Sequence, residues 1–428
     1  MHSFPSVFYC GFEKAAKAND IVLTLKLKSD VDLSVSWSAY KSLIYLYPAI
    51  STKYTYVTAR KRYEWFFLDD KKSHDFLFQE EKEQNTYHSL EAVYSSFFPI
   101  NESFPIRIRH IDSRTIVFLI SHVFADGRTA FSWLDQWCRL YYENNPTQTK
   151  TVVNPDMAPV HWNKPGEPAN KFGLAWRGMA HFAKLAAKAG LNNKNQTVDI
   201  SRNKVPDPLS TGSHVANYHF TISETEDILI ASKSVDLSTA AFVHRALSSA
   251  LFELYPEKTR QQFGIASDVS QLFEHADDLA PGCLINPYIQ QVVRDQPLVD
   301  QIRKVYDEAR AGGPMSLLAM SSLIVPSHRF LENHVYNGTL VKTSKRSLFE
   351  RFTFIYSHVR DQNRPYTHKV VESISGHTKS QTVFVASTII NGHLSLEMCA
   401  THMAFSPKDI DAWFNATVRS LKENIFYC

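Results

Sequence analysis

The sequence predicts an α/β protein made of two similarly built sandwiches. Period-two strand patterns alternate with helical patterns along most of the chain, a Pro-rich polar stretch interrupts them, and one helix ending recurs on both sides of that stretch. With 428 residues and 44% hydrophobic content the chain can bury large cores, which excludes a disordered protein. The net charge is only +3 and the basic residues form no long arm, which argues against nucleic acid as a partner. The five cysteines, Cys10, Cys138, Cys283, Cys399 and Cys428, are scattered without CxxC spacing and suit reduced thiols in a cytoplasmic protein. Neither a basic leader with an apolar run nor 18 consecutive apolar residues is found, so the chain reads as neither secreted nor membrane-spanning.

In order along the chain, "IVLTLKLK" (21–28) alternates as a strand, and "VDLSVSWSAYKSLIYLYP" (31–48) follows with helical spacing that stops at Pro48. "FPIRIRHID" (104–112) and "RTIVFLIS" (114–121) flank Ser113 as a tight hairpin. From Gly127, Ala130, Phe131, Leu134, Trp137, Cys138 and Tyr141 recur at helical intervals, so one face of that helix packs inward. Residues 146–212 have the composition of a linker or surface crossing. The second part opens with a strand at 217–222 and a helix at 237–256, whose Leu254-Tyr255-Pro256 ending repeats Leu46-Tyr47-Pro48. Further strands are expected around 262–269, 287–293 and 381–389. Asn391-Gly392 makes a turn into another strand, and a helix capped by Ser406 begins at Pro407, with Asp409 in its first turn. The organisation is thus 1–145, a linker with an amphipathic helix at 146–212, and 213–428.

The chemistry-bearing stretch is "LISHVFADGRTAF" (119–131), where the pattern changes from strand to helix. Ser121 and His122 leave a strand end on opposite sides, so they form no local nucleophile–base pair. His122 has the side chain whose ordinary pKa lies nearest neutrality, which suits a general base needing no metal. Asp126, about one turn later, can hold local backbone or pair with a distant Arg, and Gly127 allows a tight turn or close approach. A satisfied core histidine beside a helix-starting aspartate is the alternative for the same residues. A metal pair lacks further ligands in the segment, and a hydrolase lacks a Gly-x-Ser-x-Gly elbow.

This His-x-x-x-Asp-Gly motif, between its strand and helix, resembles the CoA-dependent acyltransferase superfamily. That superfamily includes chloramphenicol acetyltransferase, plant BAHD acyltransferases, condensation domains and alcohol O-acetyltransferases. "WSAYKSLIYLYPAIS" is similar to the family's first helix. "FGIASDVSQLFEHADDLAPGCLINPY" is similar to the segment around an Asp, here Asp268, followed by Gly282 and Asn286. "TIINGHLSLEMCATHMAFSPKDIDAWF" is similar to the closing strands and helix of the alcohol O-acetyltransferase and polyketide-associated acyltransferase branches. The resemblance implies two chloramphenicol-acetyltransferase-like halves, each a mixed sheet flanked by helices, with a tunnel between them. It implies acyl transfer, of the kind found in secondary metabolism, from an acyl-CoA such as acetyl-CoA or a phosphopantetheinyl thioester on a carrier protein. The acceptor is a hydroxyl or amine. His122 is the base at a tunnel mouth, contributing little to the core, Asp126 the residue that maintains it and Gly127 part of the motif. No bound cofactor or metal is implied, and a monomer is expected.

The chain departs from the pattern in four places. Ser121 stands where many relatives double the histidine, the BAHD Asp-Phe-Gly-Trp-Gly signature is absent, and Asp-x-Arg reads Asp268-Val269-Ser270. "YSHVR" (356–360) occupies the place of Ser-Asn-x-Gly and makes Ser357 a candidate oxyanion or acceptor contact. These departures motivate the alternative of an inactive binding or scaffold protein. Outside the motif, "FGLAWRGMAHFAKLAAKAG" (172–190) reads as an amphipathic helix with Arg177, His181, Lys184 and Lys188 on one face. That face is expected in solvent, where it could meet anionic lipid or an acidic carrier protein as a peripheral contact.

Overall fold

A computed structural model describes residues 20–47, 50, 52–57, 59, 62–67, 70–84, 86–96, 104–144, 173, 175–181, 183, 197–198, 213–268, 285–314, 316, 353–360, 364–379, 383–401 and 406–423. The first strand, β1 (Asp20–Leu27), leads into α1 (Leu33–Leu46). Asp32 caps this helix by accepting from the amides of Ser34 and Val35 at 2.9 and 3.1 Å, which fixes where the strand pattern gives way. Next come β2 (Thr52–Val57), β3 (Arg62–Phe67), α2 (Asp70–Gln84), α3 (Leu90–Ser95), β4 (Ile106–His110), β5 (Thr115–Ser121) and α4 (Gly127–Glu143). The hairpin predicted at Ser113 is β4 paired antiparallel with β5.

The second part contains β6 (Ser213–His219), α5 (Ile222–Ser234), α6 (Thr239–Leu254), β7 (Arg260–Asp268), β8 (Ile285–Val293) and α7 (Leu298–Arg310). It continues through β9 (Phe354–Arg360), α8 (Pro365–Val370), β10 (Val371–Thr378), β11 (Val383–Ile390), β12 (His393–Thr401) and α9 (Pro407–Glu423). The strand expected at 217–222 ends at His219, because Thr221 and Glu224 form a capping box that starts α5. Asn391 and Gly392 both take positive φ, 51° and 79°, in the tight turn that joins β11 to β12.

Two larger sheets result. The first has the order β10-β1-β5-β4 and the second β6-β12-β11-β9-β7-β8, while β2 and β3 pair separately. In the first sheet every pairing is antiparallel; in the second, β9 runs parallel to both β7 and β11. β10 comes from late in the chain yet completes the early sheet, with Ile21 opposite Thr378 and Leu25 opposite Ile374. The preceding α8 is pinned to α4, since the Asp135 carboxylate accepts from the Thr367 amide and hydroxyl at 2.8 and 2.7 Å.

Each sheet covers its own core. Alternation sends Ile116, Phe118 and Ile120 of β5 toward α1 and α4, where Phe118 meets Trp137 edge-on at 5.2 Å. Across the second sheet, Phe263 and Phe354 pack beneath α6 and α9, and the Trp413 indole donates to the Leu247 carbonyl at 3.0 Å. One residue in this second core breaks the apolar rule. His244 of α6 is fully buried, ringed by Phe263, Tyr306, Phe354 and Tyr356 at centroid distances of 4.1 to 5.9 Å, and neither ring nitrogen has a hydrogen-bond partner among the described residues.

Burial pushes the His244 pKa down to about 3, so the unfolded chain takes up this proton first as pH falls. The stability associated with the neutral ring is fully present above about pH 6.5 and is lost as pH falls toward 3. His244→Leu, which keeps an apolar side chain of similar volume, removes that loss. Between pH 7 and 5 the variant should retain about 2 kcal/mol more of its stability than the wild type, read as a smaller drop in the urea midpoint. An equal drop in both proteins would show that His244 does not titrate on unfolding.

Candidate active site

The strand-to-helix join is built by three successive backbone devices. β5 ends at Ser121, whose carbonyl accepts from the amides of Phe124 and Ala125 at 3.0 and 3.2 Å, closing a turn over residues 122–125. Val123, Phe124 and Ala125 then insert fully into the first core, anchoring the turn from below. Asp126 caps α4, accepting from the Thr129 amide at 3.0 Å while its carbonyl takes the Ala130 amide at 2.8 Å. The hold on local backbone is one of the two roles open to Asp126 in the sequence, and these bonds display it.

His122 is therefore held by a turn that is rigid on both sides. It is buried, with only 5% of its surface exposed, so the expectation of a surface imidazole is corrected: packing of 123–125 draws the whole turn inward. Burial pushes its pKa down to about 4, partly offset by the backbone oxygens of His122 and Ala125 beside the ring. At neutral pH the ring is uncharged and able to accept a proton. Ser121 is buried too, and its Oγ accepts from the Val123 amide at 3.4 Å, so it serves the turn.

β9 of the second sheet approaches the start of α4, just after this turn. A Cβ placed on Gly127 would lie 3.9 Å from Val359 on β9, an ordinary contact, and Gly127 does not have positive φ. Gly127 is the first residue of α4, with Val359 of another segment beside it. Ser357 is half-buried and shares Val359's face of β9, about 7 Å along the strand, so the motif and Ser357 belong to facing surfaces. Tyr356 and His358 turn the other way, where both hydrogen-bond to Ser387 Oγ at 2.7 Å.

Asp268 ends β7 opposite Ile285 in the β7–β8 ladder, next to the Ser267–Asn286 pair. Gly282, Val269, Ser270, Lys184 and Lys188 lie outside the described residues. Of the expected amphipathic helix, residues 175–181 are helical, and its orientation differs from the expectation. Ala175 and Gly178 are buried and the His181 ring stacks on Tyr288 at 5.0 Å, while Trp176 is 71% exposed and Met179 38% exposed. Aromatic stacking by His181 and the small residues one turn apart decide which face docks. Among the described residues no group of His, Cys, Asp and Glu could hold a metal, and no helix is long and apolar enough to cross a membrane.

No family model matches the sequence, and no curated protein matches it. Solved structures do share its fold. A trichothecene 15-O-acetyltransferase from Fusarium sporotrichioides superposes with a TM-score of 0.66 at 11% identity, over 99% of this chain and 95% of that one. The first condensation domain of the calcium-dependent antibiotic synthetase gives 0.63 at 11% identity, over 99% and 96% of the two chains. The epimerization domain from the third module of tyrocidine synthetase B gives 0.60 at 10% identity, over 96% and 92%. The resemblance carried by the motif therefore extends to the fold of the whole chain. An epimerization domain among these structures means that the fold does not by itself fix the reaction.

Asp126 generates a prediction in which chemistry and capping separate. Asp126→Asn keeps a good N-cap and should melt within about 0.5 kcal/mol of the wild type, while Asp126→Ala should lose about 1 kcal/mol. Thermal unfolding of the two variants checks this; equal melting of both would remove the cap from the role assigned here.

Proposed function

We propose that the protein is an acyltransferase in which His122 acts as general base, moving an acyl group from a thioester donor to a hydroxyl or amine. The observation that supports it most directly is the buried imidazole of His122 on a turn closed by backbone bonds, ahead of Gly127, which lies beside Val359 of the second sheet. An uncharged ring in a desolvated position takes a proton readily only as negative charge develops beside it. Proton uptake is therefore coupled to attack of the acceptor oxygen or nitrogen on the thioester carbonyl. The acceptor bond to the acyl carbon forms, the carbon–sulfur bond breaks, and the proton held on His122 passes to the departing thiolate. Ser357, on the facing strand, is the proposed oxyanion or acceptor contact.

The donor is proposed to be an acyl-CoA or a phosphopantetheinyl thioester on an acyl carrier protein, and the working state a cytoplasmic monomer. The exposed Trp176 and Met179 beside Arg177 give the helix at 175–181 the composition of a peripheral membrane contact. Vesicles containing anionic lipid should retain the protein at low salt, and Trp176→Ala with Arg177→Glu should release it; equal retention would remove the contact.

His122→Ala should lower turnover by about 10²-fold or more, read as thiol release from acetyl-CoA with a panel of alcohols and amines, while circular dichroism remains that of the folded protein. The acid limb of kcat/KM should lie near pH 4, below an ordinary histidine's 6.5, because protonation of the buried ring is what removes the base. Full activity in His122→Ala would make the histidine structural. A wild type that releases no thiol with any donor would instead favour the binding or scaffold reading.

A further inference from the structure

The two free cysteines among the described residues, Cys138 and Cys399, are both buried but have opposite surroundings. Cys138 of α4 lies inside the first core, where burial and the Asp135 carboxylate push its thiol pKa well up. A thiol so placed is inert. Cys399 of β12 lies instead at the seam between the two sheets, among polar and charged groups.

Alternation turns Ser395, Glu397 and Cys399 away from Leu394, Leu396 and Met398, which enter the second core. Cys399 stands opposite Val215 in the β12–β6 ladder, and Val215 packs against the small cluster that holds Val22 and Tyr94. Tyr94 meets the His377 ring edge-on at 5.0 Å, and His377 Nδ1 donates to the carboxylate of Glu397, two residues before Cys399 on the same face. The circuit closes at the sulfur, which lies beside the His377 imidazole. Lys379 is a second cation near it, with its Nζ donating to the Ser96 carbonyl at 2.6 Å and lying 3.9 Å from Asp20.

Sulfur, imidazole and carboxylate in this order are the arrangement that activates a nucleophile: the carboxylate orients the ring, and the ring manages the proton. Burial by itself would lower the His377 pKa; Cys399 and Glu397 beside the ring overcome this and push it up to about 10, so the ring is charged at neutral pH. His377 is 2% exposed, and its Nε2 has no hydrogen-bond partner among the described residues. A buried donor left over beside a thiol is placed to serve a reactant rather than the fold.

The seam is thin on one side. β12 is flanked by β6, where Asn217 and His219, opposite Glu397 and Ser395 and on the same face, are exposed. One strand spacing, about 4.8 Å, thus separates Glu397 from a solvent-facing residue. Hydrogen peroxide is little larger than water, and a small local opening at β6 admits it while bulkier reagents stay outside.

We propose that Cys399, with His377 and Glu397, is a peroxide-reactive thiol that is oxidised to a sulfenic acid within the folded protein. The sulfur attacks one peroxide oxygen, and the S–O bond forms as the O–O bond breaks. The thiol proton reaches the departing hydroxide by way of His377 Nε2, leaving water. Sulfur gives up two electrons and the peroxide takes them. The reaction uses neither His122 nor an acyl donor, so failure of the acyl-transfer reading leaves it standing.

To test it, the full chain is exposed to hydrogen peroxide and trapped with dimedone. Labelling is read at each cysteine by mass spectrometry, with circular dichroism to follow the fold. Cys399 should be labelled about tenfold faster than Cys138 or more, the equal burial of Cys138 making it the internal control. His377→Gln and Glu397→Gln, which keep polar side chains of similar size, should each slow labelling of Cys399 by about tenfold and leave Cys138 unchanged. Equal labelling of the two cysteines in the wild type would overturn the proposal whatever the variants do. So would labelling of Cys399 that appears only in urea, or an undiminished rate in either variant when folded.

Discussion

The pairing of β10 with β1 is the constraint on which the molecule's arrangement rests. Seven registered residue pairs, from Ile21–Thr378 to Leu27–Val371, weld a late strand onto the earliest described one. Once that ladder forms, β11 and β12 follow within a few residues and the second sheet must lie against the first. The Asp135–Thr367 bonds carry the same tie from α8 into α4, the helix that Asp126 caps. The placement of Gly127 beside Val359 of β9 thus follows from one backbone ladder made far from the motif in sequence.

Histidines in this fold show how one side chain takes opposite states from its surroundings. His122 and His244 are buried, and desolvation drives both toward the neutral form. His377 is equally buried, but Cys399 and Glu397 beside the ring outweigh desolvation and push its pKa up. Burial alone therefore does not fix the protonation state of a histidine.

Local features were legible in the sequence where the signal was itself local. The β4–β5 hairpin, the Asn391-Gly392 turn and the capping by Asp126 each depend on a few neighbouring residues. The same reading missed α5, although Thr221 and Glu224 are spaced as a capping box, because Asn217 to Ile222 also alternate like a strand. Burial of His122 was not legible, since it depends on how three apolar neighbours pack against α1 and α4. The His377–Glu397 pair was harder still. Period-two alternation does show a polar face in "HLSLEMCA", but which strand opposes it depends on topology alone.

The β1–β10 ladder also orders events on the ribosome. Until residues 371–378 have emerged, β1 is the outer strand of a three-stranded sheet, with its hydrogen-bonding edge open. At roughly 5–20 residues per second, the 250 residues that separate Ser121 from Val371 leave that edge uncovered for roughly 13–50 seconds of synthesis. Leu23 and Leu25 alternate along it with Val22 and Thr24, a pattern suited to pairing with any other extended chain. The nascent first sheet is therefore the stage at which this protein is most exposed to aggregation. A chaperone that shields a β-edge would serve it better than one that waits for the finished chain.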